Sequence, residues 1–130
     1  MNGIGRQVVR TDGAPAPVGP FSQGIKVDKF VFVSGQGPFD PKTGKIIGRD
    51  IASQSRRTLE NIKGILEASG LTMGDVVMVS VFLKRLEDFQ GMNDVYKTFF
   101  PDKPPARTTV VTDFVAPDML IEANAIAFRE

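Results

Sequence analysis

With 130 residues, 42% hydrophobic and 24% charged, the chain has ordinary globular composition and enough length for one core, so a single domain over residues 1–130 is expected. Sixteen basic residues against fifteen acidic ones leave a net charge of +1 with no basic block longer than Arg56-Arg57, which excludes the polyelectrolyte footprint of a nucleic-acid binder. Cysteine and histidine are both absent, which excludes disulfides, thiol nucleophiles, Ser-His-Asp triads and metal sites built on imidazole or thiolate.

The start, Met1 to Arg6, lacks the apolar stretch of a secretory signal, and no run approaches the roughly 20 apolar residues of a membrane span; a cytoplasmic location is the default. Gln7-Val8-Val9-Arg10 reads as a short strand. Asp12 to Pro20, punctuated by Pro15, Pro17 and Pro20, reads as an extended, ordered loop, because each proline fixes φ and removes a donor. Ile25 to Ser34 is β-branched and aromatic and reads as one strand buried at its end. Asp40 to Lys45 carries the chemistry of a hairpin or tight loop, with Pro41 presetting φ and Gly44 supplying positive φ.

From Asp50 the apolar spacing becomes helical through Ile51, Ser55, Leu59, Ile62, Ile65 and Leu66, with Asp50 as N-cap and Gly70 as the stop. Val76 to Leu83 is continuously apolar and reads as a central strand covered on both faces. Phe89, Met92, Val95, Tyr96 and Phe99 form the stripe of a second helix, which Pro101 ends. Pro104-Pro105 leads rigidly into a strand at Arg107 to Val111, and the last strand runs from Met119 to about Phe128. Helices between hairpin-like strands predict an α+β two-layer sandwich, a mixed sheet with both helices packed on one face.

Gly35-Gln36-Gly37 follows a strand as a dinucleotide loop would, but Pro38 and Pro41 prevent the helix that would hold a pyrophosphate. What is left is a strand end where Gly35 lets a ligand approach the backbone. Arg107 could grip a carboxylate through two parallel hydrogen bonds; read alone, the commoner role of such an arginine is a solvated charge at a strand edge. Alternation puts Arg107 and Thr109 on one face of their strand, and Glu122 and Asn124 on one face of theirs. If those faces meet, a cation, a hydroxyl, a carboxylate and an amide converge; otherwise Glu122 pairs with a basic residue on the sheet surface. Tyr96 and Phe99 read as packing.

Ordered segments across nearly the whole chain resemble the Rid family, also called YjgF or UK114 proteins. They include Gly19-Pro20-Phe21-Ser22-Gln23-Gly24, Ser34-Gly35-Gln36-Gly37-Pro38, Gln54-Ser55-Arg56, Leu59-Glu60-Asn61-Ile62-Lys63, Met92-Asn93-Asp94-Val95-Tyr96, Pro105-Ala106-Arg107 and Ile121-Glu122-Ala123-Asn124-Ala125. The resemblance implies a chorismate-mutase-like subunit with a six-stranded sheet, assembled as a homotrimer with pockets in the clefts between subunits. It also implies hydrolysis of 2-imino acids such as 2-iminobutanoate and 2-iminopropanoate, and of 2-aminoacrylate-type enamines, to 2-oxoacids and ammonia, with no cofactor or metal.

Carried over by position, Arg107 binds the substrate carboxylate, the backbone around Ser34 and Gly35 orients the substrate nitrogen or water, and Asn93 and Thr109 line the cleft. Phe21 stands where the family usually has tyrosine, keeping the aromatic wall without its hydroxyl. The glutamate by which typical members activate water is placed at Asn124, whose amide can hold a water but cannot take its proton; Glu122, about 7 Å along the same strand face, is the substitute base. Other readings are a trimeric protein that binds small 2-oxo or amino acids without turnover, and a Rid branch that acts on aminoacrylate in pyrimidine catabolism and also has phenylalanine at this place. An endoribonuclease lacks support, having neither a histidine nor a basic stripe.

Overall fold

Eight regular elements account for the fold of this computed structural model, which describes residues 5–130. The reading of the N-terminus rests partly on residues 1–4, which lie outside the described residues. The strands are β1 (Gln7–Val9), β2 (Gly24–Val27), β3 (Phe30–Gln36), β4 (Val76–Leu83), β5 (Ala106–Val111) and β6 (Ile121–Phe128), and the helices are α1 (Ile51–Ala68) and α2 (Phe89–Phe99). One six-stranded sheet has the order β1-β2-β3-β6-β4-β5. It is mixed: β4 and β5 run parallel, and every other pairing is antiparallel. The α+β fold is therefore as expected.

Two strand expectations need correction. The stretch from Ile25 to Ser34 is a hairpin, not one strand: Asp28 takes a positive φ of 55° and the chain folds back so that Val27 pairs with Phe30. Asp tolerates the left-handed region, but with no glycine or proline beside it the turn leaves little trace in the sequence. The other correction concerns β4. Its residues Val79, Val81 and Leu83 are buried with the helices, whereas Met78, Ser80 and Phe82 face the opposite side and stay half-exposed.

That difference runs across the whole sheet. Val31, Val33, Val79, Val81, Leu83, Ile121, Ala123, Ala125 and Ala127 form a core with Leu59, Ile62, Ile65 and Leu66 of α1 and Met92, Val95 and Tyr96 of α2. The alanines of β6 let α1 sit close to the sheet. The other face carries Phe30, Phe32 and Phe128, each more than a third exposed. The α1 termini are as read: Asp50 Oδ1 accepts from Ser53 N at 2.8 Å, and Gly70 has φ of 88°.

Three fully enclosed amides tie loops to this frame. Gln23 donates to the carbonyls of Thr11, Ala14 and Pro15 and accepts from Thr11 N. Asn61 on α1 donates to the carbonyls of Gly37 and Phe39 at 3.1 and 2.9 Å, while its Oδ1 accepts from Arg57. Gln54, one helix end away, donates to Asp118 O and accepts from Leu120 N at 2.9 and 2.7 Å. Removing such a group leaves buried carbonyls without donors, at roughly 1–3 kcal/mol each. Asn61→Leu is expected to lower stability by about 2–4 kcal/mol, read from the midpoint of urea unfolding, where Glu60→Ala on the exposed side of α1 changes it by less than about 0.5 kcal/mol.

Candidate functional site

The braced loops surround a cavity of about 600 Å³ whose lining includes Phe21, Gly35, Gln36, Gly37, Phe39 and Glu122. Gln23 fixes the loop before Phe21, Asn61 the strand end after Gly35, and Gln54 the approach to β6 that delivers Glu122. A bulge in β3 between Val33 and Gln36 shifts its register against β6 at the place where Gly35 enters the cavity. Ser34 lies just behind: its hydroxyl donates to Ser22 O at 2.6 Å and its N–H to Gln23 O, so it holds the loop rather than lining the cavity.

Glu122 lies directly over Gly35, so that a Cβ there would collide with its carboxylate. Among the described residues no side chain pairs with that carboxylate, and burial raises its pKa above the ordinary value. It is therefore a stronger base than a solvated glutamate. Asn124, two residues on, shares this sheet face but does not line the cavity. The position that puts a carboxylate beside Gly35 is Glu122 and not Asn124. Gly35→Ala is expected to push Glu122 aside and lower kcat of the reaction proposed below by about 10²-fold, checked by steady-state kinetics together with an unchanged circular-dichroism spectrum.

Arg107 lies elsewhere. Its guanidinium carbon is 4.7 Å from the Tyr96 ring centroid and 5.7 Å from that of Phe89, with Nη1 3.9 Å from Met92 Sδ. No carboxylate of the described residues pairs with it. The ring faces fix and stabilise the cation but cannot accept its in-plane hydrogen bonds, so the planar fork remains available. Burial raises the pKa of the Tyr96 phenol, which the nearby Arg107 charge only partly offsets, so Tyr96 stays a neutral donor. Asn93 belongs to the same helix, and its Oδ1 is buried without a hydrogen-bond partner; Thr109 follows Arg107 on the same strand face. Tyr96 was read as packing alone. As the chain's one tyrosine, a turn from Asn93, it carried a signal that helical periodicity absorbs.

The two groups do not meet within one chain. Register pairs Val79 with Arg107 and with Ala125 on the helix-covered face, and Phe82 with Glu122 on the open face. Arg107 and Glu122 are thus separated by two strand spacings, roughly 10 Å, by three residues along the strands, and by the sheet itself. Within the single chain those faces do not meet, because the intervening β4 places them at opposite parities.

Residues 11–129 match the family model described as Endoribonuclease L-PSP. The chain belongs to the Rid (YjgF/L-PSP) family. Among Rid relatives, a RutC family protein of Pyrococcus horikoshii is 49% identical over 125 residues, covering 96% of this chain and 99% of that one. A 2-iminobutanoate/2-iminopropanoate deaminase of Salmonella typhimurium is 43% identical over 126 residues, 95% of this chain and 98% of its own. The solved structure of Escherichia coli TdcF with bound serine superposes with a TM-score of 0.90 at 39% identity, covering 95% of this chain and 99% of that one. These relatives support a Rid-type deaminase role. No helix among the described residues is long and apolar enough to cross a membrane.

Proposed function

We propose that the chain hydrolyses 2-imino acids and their enamine tautomers, 2-iminobutanoate and 2-iminopropanoate among them, to 2-oxoacids and ammonia at sites completed between copies in a homotrimer. The observation that carries this reading is Arg107: a cation braced on two aromatic rings, with no carboxylate of the described residues paired to it, answers the one charge that all these substrates share. Because Glu122 stands on the opposite sheet face, a substrate that touches both must lie between the helix-side edge of one copy and the open face of another. Closed symmetry supplies that juxtaposition and covers Phe30, Phe32 and Phe128.

In such a cleft Arg107 holds the carboxylate and turns C2 of the imine toward Glu122 of the neighbouring copy. Glu122 takes a proton from water as the water oxygen bonds to C2 and gives it to the imine nitrogen, forming a neutral carbinolamine; the same carboxylate then takes the hydroxyl proton and passes it to the amine as the C2–N bond breaks, leaving the 2-oxoacid and ammonia. The backbone at Gly35 orients the nitrogen, with Ser34 holding the loop behind it, and Phe21, Asn93 and Thr109 line the cleft. The imine is already electrophilic, so positioning and charge complementarity supply much of the acceleration.

Generating 2-iminobutanoate in situ from threonine with a dehydratase tests the reading. The protein is expected to raise the rate of 2-oxobutanoate release well above the no-protein control, and a rate equal to the control sinks it. A second reading, binding without turnover, draws on the serine held by the Escherichia coli relative; it predicts calorimetric binding of serine or 2-oxobutanoate with no acceleration.

A further inference from the structure

Three basic side chains from distant segments meet at a second cavity, of about 660 Å³, beyond the C-terminal end of β4. Arg49 comes from the turn before α1, Lys84 and Arg85 from the chain just after β4, and Pro117 and Asp118 from the loop before β6. Val79 pairs with Arg107, and Lys84 lies five residues further on, about 17 Å at the strand rise, so this cavity is separate from the substrate arginine.

Each cation has donors to spare. Lys84 Nζ makes one hydrogen bond, to Pro117 O at 2.9 Å. Arg85 turns Nε and Nη2 to the carboxylate of the buried Asp88 at 3.0 and 3.2 Å, which fixes the guanidinium and leaves Nη1 with no partner among the described residues. Arg49 forms no ion pair among the described residues. Asp118 is the carboxylate of the lining, and it pairs with none of the three. Like charges gathered around a concavity repel one another and focus a positive potential on the space between them, which an anion relieves.

We propose that this cavity binds a small polyanion that carries a di- or triphosphate chain. Two planar guanidinium forks and an ammonium answer the several oxygens of such a chain, whereas a single carboxylate leaves two cations unmatched. The volume lies in the range of sites that enclose whole organic ligands, so there is room for more than the phosphates. Nucleoside di- and triphosphates and short inorganic polyphosphates share this chemistry. Ile46 and Leu120, in the same lining, offer a nucleoside an apolar surface.

Calorimetric titration of the whole protein with ADP, ATP and sodium tripolyphosphate, without divalent metal, tests the site. At about 50 mM salt at least one of them is expected to bind with Kd below about 1 mM, and the affinity should fall as salt screens the cations. Arg49→Glu, at an exposed position where folding is not at stake, is expected to weaken that binding by at least about tenfold, and Lys84→Gln by a similar factor. Arg107→Ala should bind the polyanion as the native protein does. Tighter binding of ATP and ADP than of tripolyphosphate identifies a nucleotide as the occupant, and equal or weaker binding a phosphate chain alone; both support the proposal. Flat isotherms at millimolar ligand overturn it. So does an affinity that survives Arg49→Glu and Lys84→Gln, or one that disappears in Arg107→Ala, which would put the anion at the substrate arginine instead.

Discussion

Arg107→Ala is expected to lower kcat/KM for 2-iminobutanoate by about 10²–10³-fold and to abolish calorimetric binding of 2-oxobutanoate at millimolar concentration. Truncating one partner of a desolvated, hydrogen-bonded charge pair costs roughly 2–5 kcal/mol, mostly because the other charge is left unpaired. Here the stranded charge is the substrate carboxylate. Arg107→Lys keeps the charge but loses the planar fork, so it should recover only part of the loss. Folding is expected to change little, since the contacts of Arg107 with Tyr96 and Phe89 contribute about 0.5–1 kcal/mol and no internal ion pair is broken. Loss of activity with an unchanged melting temperature is the signature; loss of both assigns Arg107 to structure.

Glu122→Gln is expected to lower kcat by about 10²–10⁴-fold while 2-oxobutanoate still binds, because the amide keeps the shape and loses the proton acceptor. The pH dependence follows from burial, which raises the Glu122 pKa. The base works ionised, so kcat/KM should fall as pH drops through that raised value, and the fall should vanish in Glu122→Gln. Stability runs the other way. A carboxyl whose folded pKa lies above its unfolded value favours the folded state at low pH, and that contribution is lost as pH rises through the folded pKa. Removing the charge should therefore raise the melting temperature at neutral pH and have less effect near pH 4. Asn124, outside the cavity, should tolerate alanine with a few-fold change in kcat at most.

The residues reported both helices, the mixed sheet and the boundaries at Asp50 and Gly70, because apolar period and capping chemistry are local. The β2–β3 turn escaped because Asp28 can adopt positive φ without announcing it. That Gly35 and Phe21 sit together was legible through the family segments. The choice between Glu122 and Asn124 was not, since both point to the same face and only the bulged end of β3 decides which one meets Gly35. Nor could alternation along β5 and β6 reveal that Arg107 and Glu122 oppose each other, because their relative parity is set by the register of β4 between them. The bracing roles of Gln23, Asn61 and Gln54 are likewise tertiary facts: each amide reaches loops distant in the chain.

A site divided between copies makes a demand that a site within one chain does not. Arg107→Ala and Glu122→Gln chains, each nearly inactive alone, can be co-expressed with different tags and isolated as mixed oligomers. If Arg107 of one copy works with Glu122 of another, up to about a quarter of the clefts in a random mixture contain both native residues, and 2-iminobutanoate hydrolysis should return to roughly that fraction of the native rate. If both residues act from the same chain, no cleft is ever intact. Mixed oligomers no more active than their two parents would contradict the account.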